Sequence, residues 1–129
     1  MIALELPLSH LDFTLDLHHG PFLLAVGIGE ASVREGLAAL DTVARETKAR
    51  GNKRALLDLL SVHFKASDAE HRQVGIYTAQ VLGHLKRVAV VVNGDYWVGL
   101  GEAAARDSGL DLRTFTDIVK ATNWIAELD

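Results

Sequence analysis

From Leu11 to Leu17 apolar and polar residues alternate without a break, Leu-Asp-Phe-Thr-Leu-Asp-Leu. Successive strand side chains point to opposite faces, so this stretch predicts a strand with one wet face, at the edge of a sheet. His18-His19-Gly20-Pro21 interrupts it, and Phe22 to Ile28 follows as a second, more evenly apolar strand. A link as short as this Gly-Pro turn predicts an antiparallel pair. Residues 2–8 alternate as well (Ile2, Leu4, Leu6, Leu8), a pattern that fits a short edge strand except at Pro7.

The period then changes. Ser32-Val33-Arg34-Glu35 has the S-x-x-E form of a capping box and opens a helix to about Arg50. Its inward stripe is Val33, Leu37, Leu40 and Ala44, and Gly51 is placed to end it. Ala55, Leu56, Leu57, Leu59 and Leu60 make a buried strand over 54–60. Asp58 shares a face with Leu56 and Leu60, so it needs a hydrogen bond or the strand's open end. Ser61 to Ala66 follows neither period and reads as a loop.

Ser67-Asp68-Ala69-Glu70 is a second capping box, starting a helix to about Leu85 with Val74, Thr78, Val81, Leu82 and Leu85 inward. Gly75 and Gly83 each weaken that helix by about 1 kcal/mol if interior. Arg87 to Val92 is the clearest buried strand, ended by the turn residues Asn93-Gly94-Asp95. A short helix is expected from Tyr96 to about Asp107 and a last strand from Leu110 to Phe115. Thr116 or Asp117 then caps a final helix with the stripe Ile118, Ala121, Trp124, Ile125 and Leu128. The order ββα-βα-βα-βα with right-handed crossovers predicts an α/β fold. It has a mostly parallel sheet of about five strands, an antiparallel edge strand and four helices.

At 129 residues the chain is expected to be a single domain, 1–129, with no repeat or linker. Thirteen basic against seventeen acidic residues leave no surplus to hold a phosphate backbone, so nucleic acid is not an expected partner. With no cysteine there is no disulfide, thiolate catalysis or Cys-ligated zinc. The N-terminus lacks a basic region and is broken by Pro7, and no apolar run reaches spanning length, so a cytoplasmic location is expected.

The element order together with KRVAVVVNGDYW and LDLRTFTDIVKATNWIAEL resembles the SpoIIAA-like proteins of the STAS superfamily, over roughly residues 11–128. The residues that carry the resemblance are Arg87, Trp97, Phe115, Ala121 and Trp124. It implies the SpoIIAA-like STAS fold, shared with the anti-sigma-factor antagonists and grouped with lipid-binding SEC14-type folds. In the antagonists a serine between the third strand and the second helix is phosphorylated within a D-S-S/T-G motif. The resemblance places Ser67 at that serine, while Ala66, Asp68 and Ala69 depart from the motif.

Candidate chemistry follows from position. Loops at the carboxyl ends of parallel strands are where ligands dock. Asp58, Ser61, Val62, His63, Phe64 and Ser67 cluster after one such strand, and Tyr96 and Trp97 after the next. Val62, Phe64, Tyr96 and Trp97 predict an apolar cleft between 61–67 and 93–98. Ser67 is explained as an N-cap and also stands as the candidate phosphosite. A hydrolase using Ser61 or Ser67 with His63 would need mutual hydrogen-bond reach, which the spacing does not guarantee, so no catalytic residue is assigned.

Gly27 and Gly29 sit as in a dinucleotide-binding turn. Ser32 replaces the third glycine and Glu30 would face the pyrophosphate, so both read as turn glycines and no cofactor is expected. His18-His19 and His63-His71 have no established metal spacing, and no metal is expected. The basic run Arg45, Lys48, Arg50, Lys53, Arg54 suits a helix C-terminus. The leading expectation is a non-catalytic module holding a small apolar or lipid-like ligand, with transient membrane contact, a protein partner and a homodimer left open. The alternative is a regulatory protein–protein module of the anti-sigma-factor-antagonist type.

Overall fold

The computed structural model describes residues 10–16, 21–96 and 99–127, with the side chains of His10 and Tyr96 excepted. The expected strand at 2–8, His18-His19, Trp97 and Leu128 lie outside the described residues, and so does the side chain of Tyr96.

Strand β1 (His10–Asp16) pairs antiparallel with β2 (Leu23–Ala31), as the short link requires. Helix α1 (Val33–Arg50) leads to β3 (Arg54–Phe64), α2 (Asp68–Leu82) to β4 (Arg87–Val92), and α3 (Leu100–Asp107) to β5 (Leu112–Phe115). Helix α4 (Ile118–Ala126) comes last. The sheet order is β1-β2-β3-β4-β5, with β2 to β5 parallel. Both capping boxes are formed: Ser32 and Ser67 accept the amides of Glu35 and Glu70, whose carboxylates reach back to the serine amides. Gly51 ends α1 at φ 71°, a left-handed position that suits glycine. Asp117 caps α4.

Helix α3 starts four residues later than expected. A single 3-10 turn, Gly94–Tyr96, comes first, with the Asn93 side chain accepting the Asp95 amide, and Gly99 at φ 77° redirects the chain into the helix. Strand β3 is also four residues longer than the pattern predicts.

Strand order decides where the helices go. When consecutive parallel strands are neighbours and every crossover is right-handed, every crossover helix falls on the same face. Helices α1, α2 and α3 therefore share the front, over Leu23, Ala25, Ala55, Leu57, Val88 and Leu112, all buried. Among the described residues only α4, placed after the last strand, covers the back. It packs on β4, β3 and β5 with Ala121, Trp124 and Ile125 against Phe22, Leu56, Ala89 and Val91.

Four of the residues that carry the resemblance, Arg87, Phe115, Ala121 and Trp124, hold α4 in place. Two guanidinium groups, Arg87 and Arg113, each stand over the Trp124 ring at 5.0 Å from its centroid, and the ring meets Phe115 at 5.7 Å. Arg87 donates to the Trp124 carbonyl at 3.0 Å, and Arg54 donates to the carbonyls of Ile125, at 2.8 Å, and Glu127. Two arginines at the starts of adjacent strands thus satisfy carbonyls at the end of α4.

A bulge in β3 and an apolar cavity on the front of the sheet

The pairing of β2 with β3 slips by one residue: Val26 faces Asp58, but Ile28 faces Ser61. Leu59 and Leu60 together oppose Gly27, which is a β-bulge. Before it, Leu57 and Leu59 point to the front; after it, Val62 and Phe64 do. The alternation changes parity inside one strand, so no single period fits residues 54–64. The Asp58 carboxylate accepts the Leu60 amide at 3.2 Å, which gives a polar partner to a backbone group at the irregularity and to the half-buried carboxylate.

Gly27 makes the bulge possible. A Cβ there would lie 2.9 Å from Val62 Cγ2 and 3.3 Å from Leu59 Cδ2. Gly27 is a buried strand residue, and only Gly29, at φ 116°, has the backbone freedom expected of both.

Val62 and Phe64 line a cavity of about 220 Å³ between the front of the sheet and α1, α2 and α3. Leu40 and Val43 of α1, Leu57 of β3 and Val90 of β4 form part of its wall. Polar groups on the lining come from His71, Thr78, Asn93, Glu102 and Thr114. Of these, Thr78 Oγ1 bonds to the Val74 carbonyl at 2.6 Å, and Glu102 accepts the Thr114 amide at 2.5 Å. The His71 ring meets Phe64 edge-on at 5.4 Å. Helices α2 and α3 approach at two glycines: a Cβ on Gly75 would come 2.3 Å from the Gly101 carbonyl oxygen. Gly75, which costs α2 helix propensity, is thus what lets α3 close over the cavity.

The sequence-derived residues divide between the two faces. Val62 and Phe64 line the cavity. Asp58, Ser61 and His63 alternate with the front-facing residues and belong to the back, with Ser61 exposed. Ser67 is exposed at the start of α2, its hydroxyl taking the Glu70 amide at 3.2 Å. Hydrogen bonds from the Ser67 backbone and hydroxyl hold the Glu70 carboxyl below its ordinary value. The front wall from β1, α1 and β5 (Leu11, Phe13, Leu40, Val43, Thr114) was not singled out. Leu11 and Phe13 could have been, since they form the apolar set of the alternating edge strand.

Among the described residues no group of three or more His, Asp or Glu side chains is placed to hold a metal, and no helix is long and apolar enough to cross a membrane.

No protein-family model matches the sequence, and no curated protein matches it. Solved structures do. An uncharacterised DUF3478-family protein with a SpoIIAA-like fold from Shewanella loihica PV-4 is 16% identical, with 96% of this chain and 100% of that one covered at a TM-score of 0.57. An anti-sigma factor antagonist from Mycobacterium paratuberculosis is 17% identical, with 91% and 95% covered at a TM-score of 0.63. The chain therefore has the SpoIIAA-like fold: a five-stranded mixed sheet with one antiparallel pair and four helices.

Proposed function

We propose that this protein is a non-catalytic binding module whose front cavity holds a small apolar or lipid-like ligand by its apolar part. The cavity carries the reading. Well-packed cores leave few voids larger than a water molecule, and a cavity walled mostly by Leu, Val and Phe favours an apolar occupant. Since a cavity of about 150 Å³ takes benzene, 220 Å³ scales to a ligand of on the order of nine carbons. His71, Asn93 and Glu102 supply polar contacts for a head group. Among the described residues Ser61 and His63 lie on the face opposite the cavity and the Ser67 hydroxyl is engaged as a cap, so the serines and histidine considered for a hydrolase do not meet on its lining. We place the module in the cytoplasm, in keeping with a chain that has no cysteine.

The test is thermal unfolding of delipidated protein with straight-chain alcohols and fatty acids of increasing length. The account expects a saturable stabilisation, about 2.7 kcal/mol at a hundred times Kd, greatest at medium chain length. Gly27→Ala, whose methyl pushes Val62 towards the cavity, should weaken it. No saturable shift at any length would reject the reading.

The likeness to an anti-sigma factor antagonist favours a second reading, a regulatory module that docks a protein partner near Ser67. Ser67 is exposed, and a phosphate there would add charge beside Asp68 and Glu70. Intact-mass measurement on protein from its native host tests this: a phosphate on Ser67 supports it, and none counts against a switch.

A further inference from the structure

The back of the sheet is only partly covered. Helix α4 has nine residues, roughly 13 Å of helix, and lies on β3, β4 and β5. Among the described helices none makes an extensive contact with the back of β1 and β2; Phe22, just before β2, and Leu24 pack at the edge of the α4 cluster. Along β2 the back-facing residues grow more exposed towards the carboxyl end: Phe22 is buried, Leu24 and Val26 are half-buried, and Ile28 is 55% exposed.

This apolar column has acidic borders. On β1, Asp12 faces Ile28 and Asp16 faces Leu24; on β3, Asp58 faces Val26; Glu30 closes the upper end. Asp12, Asp16 and Glu30 are exposed. Neither β1 nor β2 contains a lysine or arginine. Adjacent strands are about 4.8 Å apart, so two strands make a strip about 10 Å wide, the diameter of one α-helix.

We propose that this strip is the docking site for a basic amphipathic helix of a partner protein. The helix lies beside α4, its apolar stripe on Leu24, Val26 and Ile28 and its lysines or arginines along Asp12, Asp58 and Glu30. Charge decides between occupants. A helix with an acidic rim would be repelled from both borders, and an anionic membrane surface would be repelled as well. The proposal is independent of the cavity, which opens on the other face.

The test uses the full chain, isotopically labelled, titrated with a synthetic leucine–lysine amphipathic helix. The control is the same peptide with every lysine replaced by glutamate. The lysine peptide should give saturable amide shifts confined to β1, β2 and the adjoining part of β3, weakening with salt. Ile28→Ser and Asp12→Asn change exposed side chains and leave the core intact. Each should weaken binding, Ile28→Ser by about tenfold, while Ile76→Ser, which changes an exposed apolar residue of α2 on the other face, leaves it unchanged. Equal binding of the glutamate peptide, shifts elsewhere on the molecule, or full affinity in Ile28→Ser would overturn the proposal. So would sedimentation showing that a second copy already occupies β1 and β2.

Discussion

Among the described residues three helices overlie a cavity on the front of the sheet, while on the back one short helix, its Trp124 under two guanidinium groups, lies mainly on β3, β4 and β5. Both arrangements follow from the order of the strands. Consecutive right-handed crossovers stack α1, α2 and α3 on the front, where their separation leaves a gap that the bulge and Gly27 shape. Among the described residues the back receives only the helix after β5, and that helix is held by specific anchors. The difference separates binding from stability: the front is under-filled where a ligand is proposed, while the back is densely tied around Trp124.

Variants can break each side separately. The largest expected effect is Trp124→Ala, which removes a buried ring and the partner of Arg87, Arg113 and Phe115. It should cost about 3–5 kcal/mol in urea unfolding while the folded fraction keeps its affinity for an apolar probe. Gly75→Ala attacks the front. Its methyl meets the Gly101 carbonyl, α3 must move, and stability should fall by about 2–3 kcal/mol with probe affinity falling too. If it left both unchanged, the α2–α3 contact would not be what closes the cavity.

Ser67→Ala removes a cap and should cost about 1 kcal/mol without changing probe affinity. The smallest effect lies at the lower end of the molecule, where Thr47 Oγ1 is 2.8 Å from His84 Nε2. Burial first, then the charges of Lys48 and Lys53, lower the His84 pKa from its ordinary 6.5. The unfolded chain therefore binds that proton more tightly. Its contribution to stability is complete above 6.5 and declines as pH falls through 6.5 towards the folded-state value. His84→Gln should flatten that slope in thermal melts.

Most of the frame was legible in the residues. Two S-x-x-E boxes, Gly51, the alternating edge strand and the run at 87–92 each specify a local structure that packing does not oppose, and β3 and β4 lie side by side and parallel as expected. The features that escaped share one physical cause. A bulge is a change of parity within a strand, and a search for a constant period reads it as a loop; thus residues 61–64 looked irregular. For the same reason Asp58, Ser61 and His63 could not be separated from Val62 and Phe64, because one inserted residue decides which set faces the helices. Gly27 and Gly75 looked like turn and helix-weakening residues; their purpose is set by atoms distant in the chain, Val62 and Gly101, which no local pattern contains.

The central claim is that the front cavity, and not the back of the sheet, takes up an apolar molecule. Methyl NMR of Leu, Val and Ile side chains during titration with octanol tests it directly. The account predicts saturable shifts at Leu40, Val43, Leu57, Val62 and Val90 with Ile28 and Val119 unmoved; shifts at Ile28 alone, or no saturable shift, would contradict it.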